Sequence, residues 1–256
     1  MTATLVLVHG GTVTSTMWDA VLPHLKGAVL AVDLPGRRYH PADLGRVTRA
    51  DWVASVVDEI VERDLGPVVL VGHSSAGYVI PEVAAAVPER IAHLVFLAAT
   101  VPADGMRPVD YIKPRLRDLA IDHVDMVREM AAGKTLGGLR PGEPPIATDL
   151  EIVENDPRMG LEAPGPLHET YSGWSQVPAD LPRTFIRCRQ DRVVKAELVE
   201  QMLPHMGDVT VVDIDAGHNV ANEAPEELAR LLNQVVAGLF RKTPTPLVDG
   251  PGDPRG

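Results

Sequence analysis

An α/β fold on a mainly parallel sheet of about six strands, with helices on both faces, is what this sequence predicts. Three observations carry it: short apolar runs recur along the chain, helical patterns fall between them, and chemistry-bearing residues lie just past the ends of the runs. The runs lie near residues 3–9, 28–33, 67–72, 93–99, 182–188 and 208–214. The first, Leu5-Val6-Leu7-Val8, ends in His9-Gly10-Gly11, a glycine loop with N–H groups free to donate. The second leads into Asp33-Leu34-Pro35-Gly36 and the basic pair Arg37-Arg38. Between the second and third runs, Trp52, Val53, Val56, Val57, Ile60 and Val61 recur at helical spacing. Asp51, Asp58, Glu59 and Glu62 mostly oppose them, which predicts a surface helix laying one stripe on the sheet.

The third run turns sharply at Gly72-His73-Ser74-Ser75-Ala76-Gly77 into an alanine-rich stretch that reads as helix to Val87, with Pro81 as a kink and Pro88 as a stop. Its N-terminus is expected to point at Ser74, where the partial positive charge of a helix end favours a developing oxyanion. The fifth and sixth runs lead into Gln190-Asp191-Arg192 and Asp215-Ala216-Gly217-His218. Pro225-Glu226-Glu227 then opens a final helix carrying Leu228, Leu231, Leu232, Val235 and Val236. Residues 103–181 break the alternation: the span holds helical patterns such as Val109–Leu119 and Val124–Ala132 and a Gly/Pro-rich stretch from Gly133 to Pro145, with no convincing buried strand. Proline and glycine dominate 243–256, predicting a disordered tail.

Composition bounds the function. At 256 residues and 45% apolar the chain supports one sizeable core, and its formal charge of −11 argues against a nucleic-acid partner, which needs clustered basic residues. Arg37-Arg38 reads as a solvated loop pair, or less favourably as a receiver for an acidic substrate group. Charge or proline breaks the apolar runs within about ten residues, short of the roughly 20 that span a bilayer, so no membrane partner is expected. The N-terminus shows no secretory pattern, and Cys188, the single cysteine, cannot form an internal disulfide. A cytoplasmic setting is the expectation. Cys188 itself reads as a small apolar filler in a buried strand. No metal-ligand spacing or phosphate-binding glycine fingerprint is visible, and no cofactor or metal is inferred.

A serine hydroxyl becomes a useful nucleophile when it is exposed, within reach of a base and faced by N–H groups that hold an oxyanion. A strand-to-helix elbow supplies all three, given small residues two before and two after the serine. For Ser74 those are Gly72 and Ala76, the alanine standing where glycine is usual. The alternative register, Ser75 with Gly77, puts His73 in the first small position and is disfavoured. In an open parallel sheet, catalytic groups gather beyond the carboxyl ends of the strands. Ser74, Asp191 and His218 all fall there.

The order nucleophile, acid, histidine is that of the α/β-hydrolases. Over nearly its whole length the chain resembles that family, from His9-Gly10-Gly11 through Asp33-Leu34-Pro35-Gly36 and Gly72-His73-Ser74 to Asp191 and Gly217-His218. Pro88-Glu89-Arg90-Ile91, Leu94 to Ala99 and Val101-Pro102-Ala103-Asp104-Gly105 are similar to the salicylate-esterase and hydroxynitrile-lyase branch. The resemblance implies an α/β-hydrolase core at 1–102 and 182–242, starting at the family's third strand, and a helical cap at 103–181. In that cap Met106, Met126, Met130, Met159, Tyr171 and Trp174 could line an adaptable apolar pocket. It also implies Ser74, His218 and Asp191 as a catalytic triad, with Asp104 as the reserve acid because some members carry the acid after the fourth run, the N–H groups of Gly11 and Ser75 as the oxyanion hole, and a small-molecule ester or lactone as substrate. The plant lyases of the branch carry threonine where this chain has Gly10 and lysine where it has Asn219, so hydrolysis is expected over lyase chemistry. A cofactor-free dioxygenase and a non-catalytic ligand-binding relative are the remaining alternatives.

Overall fold

The computed structural model describes residues 3–37, 39–111 and 163–238. Six strands form one sheet: β1 (Thr4–Val8), β2 (Val29–Val32), β3 (Val68–His73), β4 (Ile91–Leu97), β5 (Arg183–Cys188) and β6 (Thr210–Ile214). The order is β2-β1-β3-β4-β5-β6, and every neighbouring pair is parallel. Chain order reverses around β1, with β2 on one side and β3 on the other. The crevice beyond the carboxyl ends of β1 and β3 is therefore the switch point at which such sheets collect ligands.

Successive side chains of a strand point to opposite faces, and two cores result. Val6, Val8, Leu70, Leu94 and Phe96 face α1 (Arg49–Glu62), α2 (Ile80–Ala86) and α4 (Ala196–Met202). Leu5, Leu7, Val69, Val71, Val95 and Leu97 face α5 (Val220–Glu223), α6 (Pro225–Val236) and the 3₁₀ turn at Ser15–Trp18. A short α3 (Pro164–His168) lies after the undescribed stretch.

Helix α1 buries Trp52, Val56 and Ile60 as the spacing requires, while Val61, at the edge of the stripe, is 45% exposed. Thr48 and Asp51 close a capping box at its start, satisfying two otherwise orphaned groups. The segment after Ser74 departs from the expected continuous helix. It makes a 3₁₀ turn over Ser74–Tyr78 and only then enters α2, so Pro81 stands in the first helical turn and is not a kink. There its missing N–H costs nothing, because the first N–H groups of a helix have no partner within it. The N-terminus beside Ser74 is accordingly that of a five-residue 3₁₀ turn, a smaller dipole than the longer helix expected.

Arg37 also departs from its expected solvated position. A turn with Gly36 at φ +90°, closed by hydrogen bonds from the Gly36 N–H to the His40 carbonyl and from the His40 N–H to the Arg37 carbonyl, folds it inward, where it is 1% exposed and its guanidinium lies 5.6 Å from the Trp52 ring centre. Arg38, the Val124–Ala132 pattern, the Gly133–Pro145 stretch and the 243–256 tail lie outside the described residues, as does most of Val109–Leu119, which begins in a 3₁₀ turn at Pro108–Tyr111. No strand occurs among the described residues of 103–181, and no described helix is long and apolar enough to cross a membrane.

Candidate active site

Strand β3 ends at His73, and the next residue, Ser74, turns the chain with φ +52°, a left-handed conformation that a non-glycine residue holds at a cost of about 1–3 kcal/mol. The Ser74 carbonyl accepts the Thr100 N–H at 3.0 Å, which ties the elbow to the end of β4. Glycine is required at two places around it. A Cβ on Gly77 would strike the Thr100 carbonyl and stand 2.8 Å from Ala99 Cβ, and one on Gly10 would stand 2.8 Å from His73 Nδ1 and 2.9 Å from Ser74 Cβ. The tightest approach after the serine thus falls at Gly77. Ala76 instead packs its methyl into the core, which explains why alanine is accepted there.

From β5 and β6 come the partners. Asp191 is buried, its Oδ1 accepting the N–H groups of Val193 (2.7 Å) and Val194 (2.9 Å), and its Oδ2 lies 2.8 Å from His218 Nδ1. His218 Nε2 lies 3.0 Å from Ser74 Oγ. A carboxylate only accepts, so Nδ1 carries the imidazole proton and Nε2 is left bare toward the serine. Ser75 Oγ is buried with no hydrogen-bond partner among the described residues, whereas Ser74 is the hydroxyl that meets the histidine. Asp104, the reserve acid, lies elsewhere: it accepts the Trp174 and Ser175 N–H groups at 3.0 Å each and so caps the turn at Trp174–Gln176.

The glycine loop after β1 is held by His9, whose Nδ1–H donates to the Gly10 carbonyl at 2.8 Å while Nε2 accepts the Leu34 N–H at 3.1 Å. The bond from Leu34 requires the neutral ring, since a protonated Nε2 cannot accept. Burial first, then the Arg37 charge, push its pKa down to about 3. Register β1–β3 sets Val8 opposite Gly72, so Gly10 and Gly11 follow one strand and Ser74 and Ser75 its neighbour, across the switch crevice. Ser75 is the second residue of the 3₁₀ turn, where N–H groups have no partner within the turn.

Of the six residues proposed to line a pocket, Met126, Met130 and Met159 lie outside the described residues. Met106 is 42% exposed. Tyr171 and Trp174 belong to the packing between the 163–181 segment and the core. Tyr171 is fully buried under the Arg49 guanidinium, 5.5 Å from its ring centre, and Trp174 lies on Phe96 and donates Nε1–H to the Pro102 carbonyl. Arg49 itself, a polar residue on an otherwise apolar stripe, donates to Glu82 Oε1 (2.9 Å) and to the Thr170 carbonyl (2.9 Å), joining α1, α2 and the returning segment. Burial raises the Glu82 pKa above the ordinary carboxylate value, partly offset by Arg49. The sequence carried no signal for this junction beyond a charge at a core-facing position. A separate groove of about 850 Å³ along α1, lined by Asp43, Arg46, Asp51, Asp58 and Glu59 among others, includes none of Ser74, Asp191 and His218. Among the described residues no cluster of three or more His, Cys, Asp or Glu is arranged to hold a metal ion.

A strand–elbow serine, a histidine and a carboxylate at the carboxyl edge of a parallel sheet define the α/β-hydrolase class. The chain belongs to it: the alpha/beta hydrolase family profile matches residues 5–231. Its relatives include a pyrethroid hydrolase from Sphingobium wenxiniae, 26% identical with 100% of this chain and 96% of the relative covered. A lipase from Mycobacterium tuberculosis is 29% identical, with 90% and 92% covered. Among solved structures, an extracellular alpha/beta-hydrolase from a Paenibacillus species, described as sharing homology with tobacco salicylic acid binding protein 2, superposes with TM-score 0.70 at 24% identity over 90% of this chain and 97% of that one.

Proposed function

We propose that this chain hydrolyses small-molecule carboxylic esters or lactones through an acyl-enzyme on Ser74. One observation carries the reading: Ser74 Oγ, His218 and Asp191 form an unbroken hydrogen-bonded line, with His218 in the tautomer that leaves Nε2 free to take a proton. As Oγ attacks the substrate carbonyl, its proton passes to His218 Nε2, and Asp191 stabilises the resulting imidazolium. The carbonyl oxygen, now negative, is met by the N–H groups of Gly11 and Ser75; losing one such donor typically costs about 10²–10³ in turnover. His218 returns the proton to the departing alkoxide, giving the alcohol and the acyl-enzyme. Water, deprotonated by His218, then attacks the acyl carbon and releases the acid and Ser74.

The named activities of the pyrethroid hydrolase and lipase relatives support an ester substrate. The close packing at Gly10 supports hydrolysis over the lyase chemistry of the branch, since the threonine that the lyases carry there would press on His73 and Ser74. Residues 103–181 are read as the cap over this site, its Met106 end reaching solvent and its return anchored through Tyr171 and Trp174.

A screen of p-nitrophenyl esters of graded acyl length, aryl esters and lactones tests the proposal, with Ser74→Ala as the blank. Turnover should fall by about 10⁴-fold or more in the blank. Cleavage undiminished in Ser74→Ala, or no cleavage of any of these substrates by the intact protein, overturns it.

A further inference from the structure

We infer that His73, the residue before the elbow serine, is a positioning residue that holds the His218 loop by its backbone carbonyl; the inference rests on the Ser74–His218–Asp191 triad proposed above. The His73 side chain ends β3 inside the protein, and its Nε2 lies 2.9 Å from the His218 carbonyl oxygen. A carbonyl only accepts, so Nε2 carries the proton and Nδ1 is bare. Among the described residues Nδ1 has no hydrogen-bond partner, so the single bond to His218 is the polar contact this ring makes there.

The two bonds of the His218 side chain fix where its ring points, but neither holds the loop that carries it. That loop runs from β6 to α5 and is gripped at Ala216, whose carbonyl accepts the N–H of Gln190 beyond β5 at 2.9 Å, at Gly217, whose N–H donates to Glu223 Oε2 at 2.7 Å, and at His218 by His73. Glu223 belongs to the loop's own following helix, whereas His73 belongs to the strand that carries the nucleophile. The bond therefore references base and nucleophile to one strand end.

The His73 ring is held in place for this task. Trp18 meets it at 83° with centroids 6.3 Å apart, the His218 ring lies 4.9 Å away, and Gly10 closes on Nδ1 so tightly that a Cβ would stand 2.8 Å from it. Burial and the adjacent His218 also keep His73 neutral, with its pKa pushed down to about 3, so it adds no positive charge beside an imidazolium forming on His218.

Three variants of the full-length chain test the inference. His73→Leu removes the donor while keeping most of the bulk, and His73→Asn carries an amide that reaches only as far as the Nδ1 position. His73→Gln places an N–H at about the reach of Nε2. Each is assayed on the best p-nitrophenyl ester, with circular dichroism and thermal unfolding confirming the folded state and Ser74→Ala as the blank. His73→Leu and His73→Asn should lose about 10² in kcat, the size of a modest misplacement of a catalytic group. KM should stay within about threefold, and His73→Gln should recover at least about tenfold of the lost kcat. Labelling of Ser74 by a fluorophosphonate should slow in parallel with kcat. Should the leucine variant not fold, the asparagine and glutamine pair gives the same comparison. A folded His73→Leu or His73→Asn with wild-type kcat overturns the inference, and so does a glutamine variant as slow as asparagine. Turnover surviving in Ser74→Ala overturns the triad and this inference with it; an inactive Ser74→Ala beside an active His73→Asn overturns this inference alone.

Discussion

Ser74 is strained, Asp191 is buried on two backbone N–H groups and His218 is wedged between them, so each residue is held by a partner that a sequence reads only indirectly. Asp191→Asn should keep the fold, because the amide oxygen still accepts from Val193 and Val194. Its NH₂ would then face His218 Nδ1 and force the proton to Nε2, the wrong tautomer for accepting from serine. Turnover should drop by about 10⁴, and near-normal turnover would remove Asp191 from the chemistry. His9 and His73 give a stability signature. Both are neutral in the fold, with pKa values near 3, and titrate near 6.5 when unfolded. Between those values the unfolded chain binds more protons, so stability falls as pH drops through this window, by up to about 1.4 kcal/mol per pH unit for each histidine. His73→Gln should remove about one histidine's worth of that slope in urea unfolding followed from neutral pH toward pH 5; a slope unchanged from wild type would contradict the buried neutral state. Ser74, Asp191 and His218 were legible because each follows a strand in a recognisable order. The task of His73 was not, since its partner is a backbone atom on a loop 145 residues away.

Elements that pack one stripe on the sheet were legible from spacing alone, as α1 and α6 show, because burial on one face imposes a 3.6-residue period. The segment after Ser74 was not. Composition does not separate a 3₁₀ turn followed by a short helix from one longer helix, and Pro81 is compatible with an interior kink or a first turn. Arg49 marks a second limit, an arginine drawn into the interior by acceptors on α2 and on residues 169 and 170. Arg49→Met should destabilise the fold by about 3–5 kcal/mol, because Glu82 loses its partner in a mostly buried setting. Arg49→Met with Glu82→Met should cost less than the sum of the single changes, and strict additivity in urea unfolding would show that the pair is uncoupled. On β5, Cys188 is buried and its thiol is pushed up to about 12, chiefly by burial. A thiol reagent at neutral pH should therefore leave it unmodified until the protein unfolds, and rapid labelling of the native chain would show that the strand is open to solvent.

At the scale of the whole molecule, the reversal of strand order around β1 gathers the site: it sets the Gly10-Gly11 loop beside the Ser74 elbow, while β5 and β6 deliver Asp191 and His218 to the same edge. The alternation of runs and helices made this architecture legible, since a parallel sheet needs crossover connections and buried strands. Pocket shape was not legible, because the spacing within 103–181 serves packing as readily as binding; Tyr171 lies buried and Trp174 rests on Phe96. The central claim is that this assembly makes one serine nucleophilic. It is tested most directly by reacting the protein with a fluorophosphonate, mapping the adduct by peptide mass spectrometry and repeating the reaction on His218→Ala. A single adduct on Ser74, formed slower by about 10³-fold or more without His218, is the result expected. An adduct on Ser75 or another serine, or labelling of Ser74 at an equal rate without His218, would contradict it.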